Sequence, residues 1–152
     1  MSDYRIRVAA IIPMKSGYAL MHRKDVLKRP NMMEYYTFPG GGKEENETNE
    51  EGVIREIKEE FGIEVKVIRK LYEEESEEFN QKTYYYLCEY ISGEFGTGTG
   101  PEFSGDPKYI DSGKYIPEIV KAESIKVLPL VPEEIKEKFL KDINEGIVTN
   151  QY

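Results

Sequence analysis

The pattern of hydrophobic and polar positions predicts a sheet-rich domain with two long helices. Runs of β-branched and aromatic residues end at turn residues such as Gly, Pro and Asn, which is typical of strands. These runs predict strands at residues 5–13, 18–24, 34–38, 64–72 and 82–91, and a further strand or extended segment at residues 124–130. Because Lys15-Ser16-Gly17 is a turn sequence, we expect residues 18–24 to pair with the first strand as a hairpin.

Two segments have the periodicity of amphipathic helices. The first begins at Thr48, where Glu51 completes a capping box, and ends at Gly62. The second begins at Pro132 and ends near Gly146. Their apolar residues fall on one side, namely Val53, Ile54, Ile57 and Phe61 in the first helix and Ile135, Phe139, Leu140 and Ile143 in the second. This order of elements predicts an α/β fold of the α+β layered kind, with residues 1–152 as a single domain.

Two Gly-rich stretches interrupt this pattern. Residues 39–42 read Pro-Gly-Gly-Gly and predict a sharp backbone turn, and residues 92–107 predict a long loop. The loop contains the sequence Gly-Thr-Gly-Thr-Gly at residues 96–100. It lacks the preceding strand and the following helix of a phosphate-binding loop, so we interpret it as a lid or a linker.

The first predicted helix carries three acidic side chains on one face. Glu56, Glu59 and Glu60 are related as i, i+3 and i+4, so their like charges lie close together and weaken the helix. Two interpretations follow. The residues form an acidic face in solvent, or they bind a hard divalent cation such as Mg²⁺, which prefers carboxylate oxygens.

Composition limits the class of protein. The chain has 152 residues, of which 39% are hydrophobic, and this favours a folded domain over a disordered chain. A formal charge of −8 argues against a nucleic-acid polymer as partner, because such partners require a basic surface. Cys88 is the single cysteine, and neither a signal peptide nor a long apolar span is visible. We therefore expect a cytoplasmic protein with no membrane partner.

A spaced motif covers the acidic helix and the turn before it. Gly41 is followed after five residues by Glu47, and after seven more by the run Arg-Glu-Ile-Lys-Glu-Glu-Phe-Gly-Ile at residues 55–63. The spacing matches the Nudix box at all nine specified positions, and a chance match is on the order of 10⁻⁵ or less. The chain therefore resembles the Nudix (MutT-like) hydrolases.

This resemblance implies a fold, a reaction and a cofactor. The fold is a Nudix-type mixed β-sheet sandwiched between helices. The reaction is hydrolysis of a phosphoanhydride (diphosphate) bond in a nucleoside diphosphate-linked or nucleoside triphosphate substrate. The cofactor is Mg²⁺, with Mn²⁺ as the other candidate. The partner is thus a small nucleotide or a nucleotide derivative.

The resemblance also implies roles for residues of the motif. Arg55 orients the catalytic carboxylates by ion pairing, a task that suits its planar guanidinium. Glu56 is the candidate general base, and Glu47 supports the loop or the shell around the metal. The residues that match metal ligands of the family are Glu56, Glu59, Glu60 and, through its carbonyl, Gly40.

Residues outside the motif offer further candidates, each with a structural alternative. Glu102 or Glu94, in the Gly-rich loop, is a candidate catalytic base or a solvated side chain. Arg23 is a candidate phosphate ligand or a surface arginine. Tyr86, in a run of three tyrosines, stacks on a nucleobase or packs in the core. His22, the only histidine, is interpreted as a packed or outward residue.

Two other classes of protein stay open. The chain fits a non-catalytic, nucleotide-binding regulatory Nudix module. It also fits a metal-binding interaction domain whose acidic helix faces a partner. Every carboxylate of the motif is present, which favours the enzyme. A homodimer stays open as well.

Overall fold

The computed structural model describes residues 4–100 and 113–148. In this part of the chain, strands alternate with three helices. The strands are β1 (Arg5–Ile11), β2 (Pro13–Met14), β3 (Gly17–Lys24), β4 (Tyr35–Thr37), β5 (Gly40–Gly42), β6 (Glu64–Ser76), β7 (Gln81–Ser92), β8 (Lys114–Val120) and β9 (Leu130–Val131). The helices are α1 (Asn49–Phe61), α2 (Ala122–Ile125) and α3 (Glu133–Asn144).

The strands form two mixed sheets. The first has the order β5-β1-β7-β6, in which β1 and β7 are parallel and the other pairs are antiparallel. The second has the order β2-β3-β4-β9, with β8 also paired to β3. The predicted mixed sheet with packed helices is therefore confirmed.

Strand β1 lies at the centre of the hydrophobic core because both of its faces are covered. Ala9 and Ile11 point into a cluster that joins both sheets to α3. Val8 and Ala10 point into a second cluster, in which α1 packs on the first sheet. Burial on both faces explains why this strand reads as a continuous apolar run instead of an alternating one.

The predicted hairpin is confirmed only at its turn end, where Pro13 pairs with Tyr18. Strand β3 pairs with the two-residue β2, whereas β1 lies between β5 and β7. The chain passes from one sheet to the other at Ile12, whose carbonyl accepts a hydrogen bond from the Ala19 amide. The predicted turn at residues 39–42 is also wrong in part, because Gly40–Gly42 forms β5 and pairs antiparallel with β1.

The C-terminal third differs most from the prediction. Residues 124–130 were expected to be extended, but Ala122–Ile125 is helical and only Leu130–Val131 is a strand. Strand β8 has no counterpart in the sequence prediction. It contains Pro117, which fits an edge strand because a proline cannot donate a hydrogen bond to a second neighbouring strand.

Candidate active site

Helix α1 is fixed at both ends by local hydrogen bonds. The Thr48 hydroxyl accepts from the Glu51 amide at 3.1 Å, and the Glu51 carboxylate accepts from the Thr48 amide at 2.8 Å. At the other end, Gly62 has a φ of 75° and donates its amide to the Lys58 carbonyl. The capping box and the glycine stop are thus confirmed.

The Gly-Thr-Gly-Thr-Gly segment is docked on the C-terminal end of α1. The Gly96 and Thr97 amides donate to the Phe61 carbonyl, at 2.9 and 3.2 Å, and the Gly100 amide donates to the Glu59 carbonyl at 2.9 Å. The last carbonyls of a helix lack partners within it, so this segment satisfies them. Residues 96–100 therefore cap the end of α1 without belonging to the helix, and residues 101–107 of the predicted loop lie outside the described part of the chain.

Arg55 is the charged centre of the motif. Its Nη2 and Nε atoms donate to the two carboxylate oxygens of Glu47, at 2.7 and 3.0 Å. Its Nη1 atom donates to Glu56 at 3.0 Å and to Glu59 at 2.9 Å. The hydrogen bonds from Arg55 hold the pKa of the Glu47 carboxyl below its usual value, and those to Glu47 raise the pKa of Arg55 itself.

The backbone of β5 lies against two of the motif carboxylates. Glu60 is buried, with 6% of its surface exposed, and accepts a hydrogen bond from the Gly40 amide at 2.9 Å. Glu56 lies beside Gly41, where an added Cβ atom would fall 2.6 Å from the carboxylate carbon. The absence of a side chain at Gly41 therefore gives the Glu56 carboxylate its space.

The residues present fit a divalent metal in chemistry but do not converge on one point. Among residues 4–100 and 113–148, no three His, Cys, Asp or Glu side chains are gathered as a metal site. Glu56 and Glu59 instead contact Arg55, and Glu60 contacts Gly40. Carboxylate oxygens are the ligands that Mg²⁺ and Mn²⁺ prefer. The hydrogen bonds from Arg55 Nη1 involve one carboxylate oxygen each of Glu56 and Glu59, and a carboxylate can contact a guanidinium and a cation together.

A cleft of about 880 Å³ opens between the two sheets beside α1. Glu56, Glu60, Gly40 and Gly41 line one part of its wall. The wall also carries five cationic side chains, which are Arg5, Arg7, Arg23, Lys28 and Arg29. This concentration of positive charge, in a chain of net charge −8, suits a polyanionic ligand.

Arg23, the candidate phosphate ligand or surface arginine, lies in this cleft. Its guanidinium carbon is 3.7 Å from the centroid of the Tyr115 ring and 5.7 Å from that of Tyr35. Arg29 also lies over the Tyr35 ring, at 4.9 Å. Sequence reasoning missed Lys28, Arg29 and Tyr115 because they follow no motif and reach the cleft only through the pairing of β3 with β4 and β8.

Tyr86 does not reach the cleft. Its side chain is buried in the cluster below α1, and its hydroxyl accepts a hydrogen bond from the Asn49 side-chain amide at 3.2 Å. The neighbouring Tyr85 points to the opposite face and lines the cleft. Successive side chains of a strand point to opposite faces. A prediction that is one residue off therefore names a core residue, here Tyr86, in place of its cleft-lining neighbour Tyr85.

Three candidates outside the motif remain. Glu102 is outside the described residues, and Glu94 is exposed. His22 is packed, as interpreted: its ring stacks on Tyr36 at 4.2 Å. Its Nε2 atom is 2.7 Å from Glu34, and its Nδ1 atom contacts Glu118.

Comparison with known proteins identifies the family. The model of the NUDIX domain matches residues 3–128, so the chain belongs to the Nudix family and is a hydrolase. Membership suggests that it hydrolyses a pyrophosphate bond. No curated protein sequence matches the chain significantly.

Solved structures share the fold at low sequence identity. A NUDIX hydrolase from Nitrosomonas europaea has a TM-score of 0.70 at 16% identity, over 95% of this chain and 73% of that one. The MutT protein of Methanosarcina mazei Go1 has a TM-score of 0.64 at 22% identity, over 95% and 96%. An ADP-ribose pyrophosphatase from Streptococcus suis has a TM-score of 0.64 at 16% identity, over 97% and 95%.

The described helices are all too short or too polar to cross a lipid bilayer.

Proposed function

We propose that this chain hydrolyses the phosphoanhydride bond of a nucleoside diphosphate-linked compound or a nucleoside triphosphate, with Mg²⁺ or Mn²⁺ as cofactor. One observation carries the proposal. The motif residues Glu56, Glu60 and Gly40 line the same cleft as five cationic side chains. Arginine and lysine side chains that can bind phosphate oxygens therefore lie beside carboxylates that can hold a metal ion.

Each part of the cleft has a task in this reaction. The cationic side chains of the cleft other than Arg7 bind and orient the phosphate groups. Arg55 holds Glu56 and Glu59 in place, and Glu56 accepts the proton of the attacking water. A divalent cation held by Glu56, Glu59, Glu60 and the Gly40 carbonyl would supply charge neutralisation and a water of lowered pKa. Glu47 acts through Arg55, which it fixes by two hydrogen bonds.

The test is a substrate panel with defined metal conditions. The panel contains nucleoside triphosphates, nucleoside diphosphate sugars and ADP-ribose, the last because one structural neighbour is named for it. Each compound is incubated with Mg²⁺, with Mn²⁺ or with chelator, and the released phosphate products are measured. We expect metal-dependent hydrolysis of at least one compound. Absence of turnover on every compound would contradict the proposal and favour a binding module.

Variants of α1 test whether activity depends on the motif carboxylates or on any acidic residue of the helix. Glu56→Gln and Glu60→Gln should each lower kcat by at least about a hundredfold, because each removes a charged ligand or the base. Glu50→Gln is the matched control, since Glu50 is exposed in the first turn of the same helix. Full activity of both site variants would show that the assignment is wrong.

Three further expectations accompany the proposal. We propose a single domain over residues 1–152, and a location in the cytoplasm. The third concerns the oligomeric state: light scattering distinguishes a monomer of 17.6 kDa from a homodimer.

A further inference from the structure

The cleft continues past the motif to a polar end on the first sheet. Arg7 pairs with Thr83, and Thr83 pairs with Glu74, so these residues lie level on β1, β7 and β6. All three line the cleft, and we refer to them as the Arg7 row. The next level outward, which also lines the cleft, consists of Arg5, Gln81 and Ser76.

Arg7 has a buried donor that protein atoms do not satisfy. Its Nε atom is shielded from solvent and has no hydrogen-bond partner among the residues that the structure describes. Buried polar atoms nearly always have a partner, so each exception requires an explanation. Since Arg7 lines the cleft, a shift of its guanidinium would bring this donor to a ligand acceptor.

Glu74 places an acceptor on the other side of the same row. Burial and the charge of Glu134 raise the pKa of its carboxyl, and the smaller effect of Arg7 opposes this rise. Within the described part of the chain, no ion pair joins the two side chains. A donor and an acceptor thus flank Thr83 and face the cleft separately.

The presence of Glu74 in the same row as Arg7 disfavours a phosphate as the ligand. A carboxylate repels phosphate oxygens, whereas it accepts hydrogen bonds from the N–H groups of a heterocycle. Phe79 lines the same end of the cleft and is 57% exposed, which gives a planar ring a surface to stack on. Arginine is also the side chain that most commonly reads the keto oxygen of guanine.

We propose that the Arg7 row recognises an oxo-nucleobase, in which a keto oxygen stands beside a ring N–H. Arg7 donates to the keto oxygen, Glu74 accepts from the N–H, and Phe79 covers the face of the ring. Guanine and uracil share this group, and adenine and cytosine lack it. This proposal rests on the proposed function in one respect, because that function places the diphosphate of the substrate beside Gly40. Gly40 pairs with Ala9, two residues from Arg7, or about 6.6 Å along the strand.

Binding of nucleoside monophosphates tests this inference without turnover. GMP, UMP, AMP and CMP contain no phosphoanhydride bond, so calorimetry of each with the full chain reports recognition alone. We expect GMP or UMP to bind about tenfold more tightly than AMP and CMP. The ratio of GMP to UMP then tells which base the cleft prefers.

Two variants test the residues. Arg7→Lys keeps the charge but lacks the Nε donor. It should remove the preference by lowering the affinity for GMP and UMP while leaving that for AMP and CMP unchanged. Glu74→Gln should reduce the same preference, and it stands in for Arg7→Lys if that variant does not fold. Lys66→Gln, at an exposed position outside the cleft, is the control.

Two results would overturn the inference. One is equal or tighter binding of AMP and CMP by the unaltered protein. The other is an equal loss of affinity for all four nucleotides in Arg7→Lys, which would indicate that Arg7 acts only through its charge. Base preference without any hydrolysis of the substrate panel would contradict only the proposed function, so the two failures are distinguishable.

Discussion

At the scale of single residues, Arg55 does more than balance charge. Its guanidinium contacts four carboxylates, those of Glu44, Glu47, Glu56 and Glu59, and also the Gly42 carbonyl. It offsets the repulsion between acidic residues on α1 and ties the helix to β5. Lysine carries the same charge but not the planar set of donors, so it cannot make these contacts at once.

Glu47→Gln should destabilise the fold in a pH-dependent way. The ion pair with Arg55 lowers the pKa of Glu47 in the folded state. Its stabilisation is therefore full above the unfolded pKa of about 4.3 and fades as the pH falls through the folded value. Urea unfolding should show a loss of about 1–2 kcal/mol at pH 7, and a smaller loss at pH 3. Glu45→Gln, at an exposed position in the same loop, should have no effect.

Gly41→Ala tests the space that the Glu56 carboxylate occupies. An added methyl group would meet the carboxylate at 2.6 Å, and the end of a flexible side chain can move aside. We therefore expect a loss of kcat of about tenfold or more, with little change in thermal stability. Steady-state kinetics and a melting curve measure both. Asn46→Ala, in the exposed turn that follows, is the control.

At the scale of elements, α1 was predictable because its signals are local. Thr48, Glu51 and Gly62 determine its ends through contacts within a few residues. Strand partners depend on distant parts of the chain, so the pairing of β1 with β5 and β7 could not be predicted in the same way. The face that Tyr86 presents depends on that pairing, and the five cations of the cleft come together only through it.

Gly98→Ala should disturb the end of α1. An added Cβ atom would lie 2.3 Å from the Glu60 carbonyl oxygen and 2.4 Å from that of Glu59. Backbone cannot move aside cheaply, so we expect a loss of about 1–3 kcal/mol of stability. Activity should also fall, because Glu59 and Glu60 lie on this last turn. Chemical denaturation and kinetics test it, and Thr99→Ala, an exposed neighbour, should match the unaltered protein.

At the scale of the whole molecule, charge is unevenly distributed. The chain carries −8, yet the cleft concentrates Arg5, Arg7, Arg23, Lys28 and Arg29. A uniformly acidic surface would repel an anionic substrate, and this cluster provides local attraction. The charge of the whole chain predicts the class of partner poorly, because the fold decides where the few cations lie.

The double variant Lys28→Gln, Arg29→Gln should raise KM by about threefold to tenfold at low salt and leave kcat unchanged. Both residues are exposed at the cleft, so salt screens their attraction for phosphate. The difference from the unaltered protein should shrink between 0.05 and 0.3 M salt, when the Debye length falls from about 14 to 6 Å. A salt-independent KM difference would show that the two residues act by direct contact only.

The two clusters of the core draw on different parts of the chain, which predicts an order of folding during synthesis. The Tyr18 hydroxyl donates to the Val148 carbonyl at 3.0 Å, across 130 positions of sequence. The cluster beneath α1 consists of buried residues from Val8 to Cys88, whereas the other cluster needs Ile135, Phe139 and Val148. A ribosome adds about 5–20 residues per second, so the half of the core that supports the motif is complete seconds before the other half. Protease digestion of ribosome-arrested chains should show the α1 region protected first, and simultaneous protection of both halves would contradict this order.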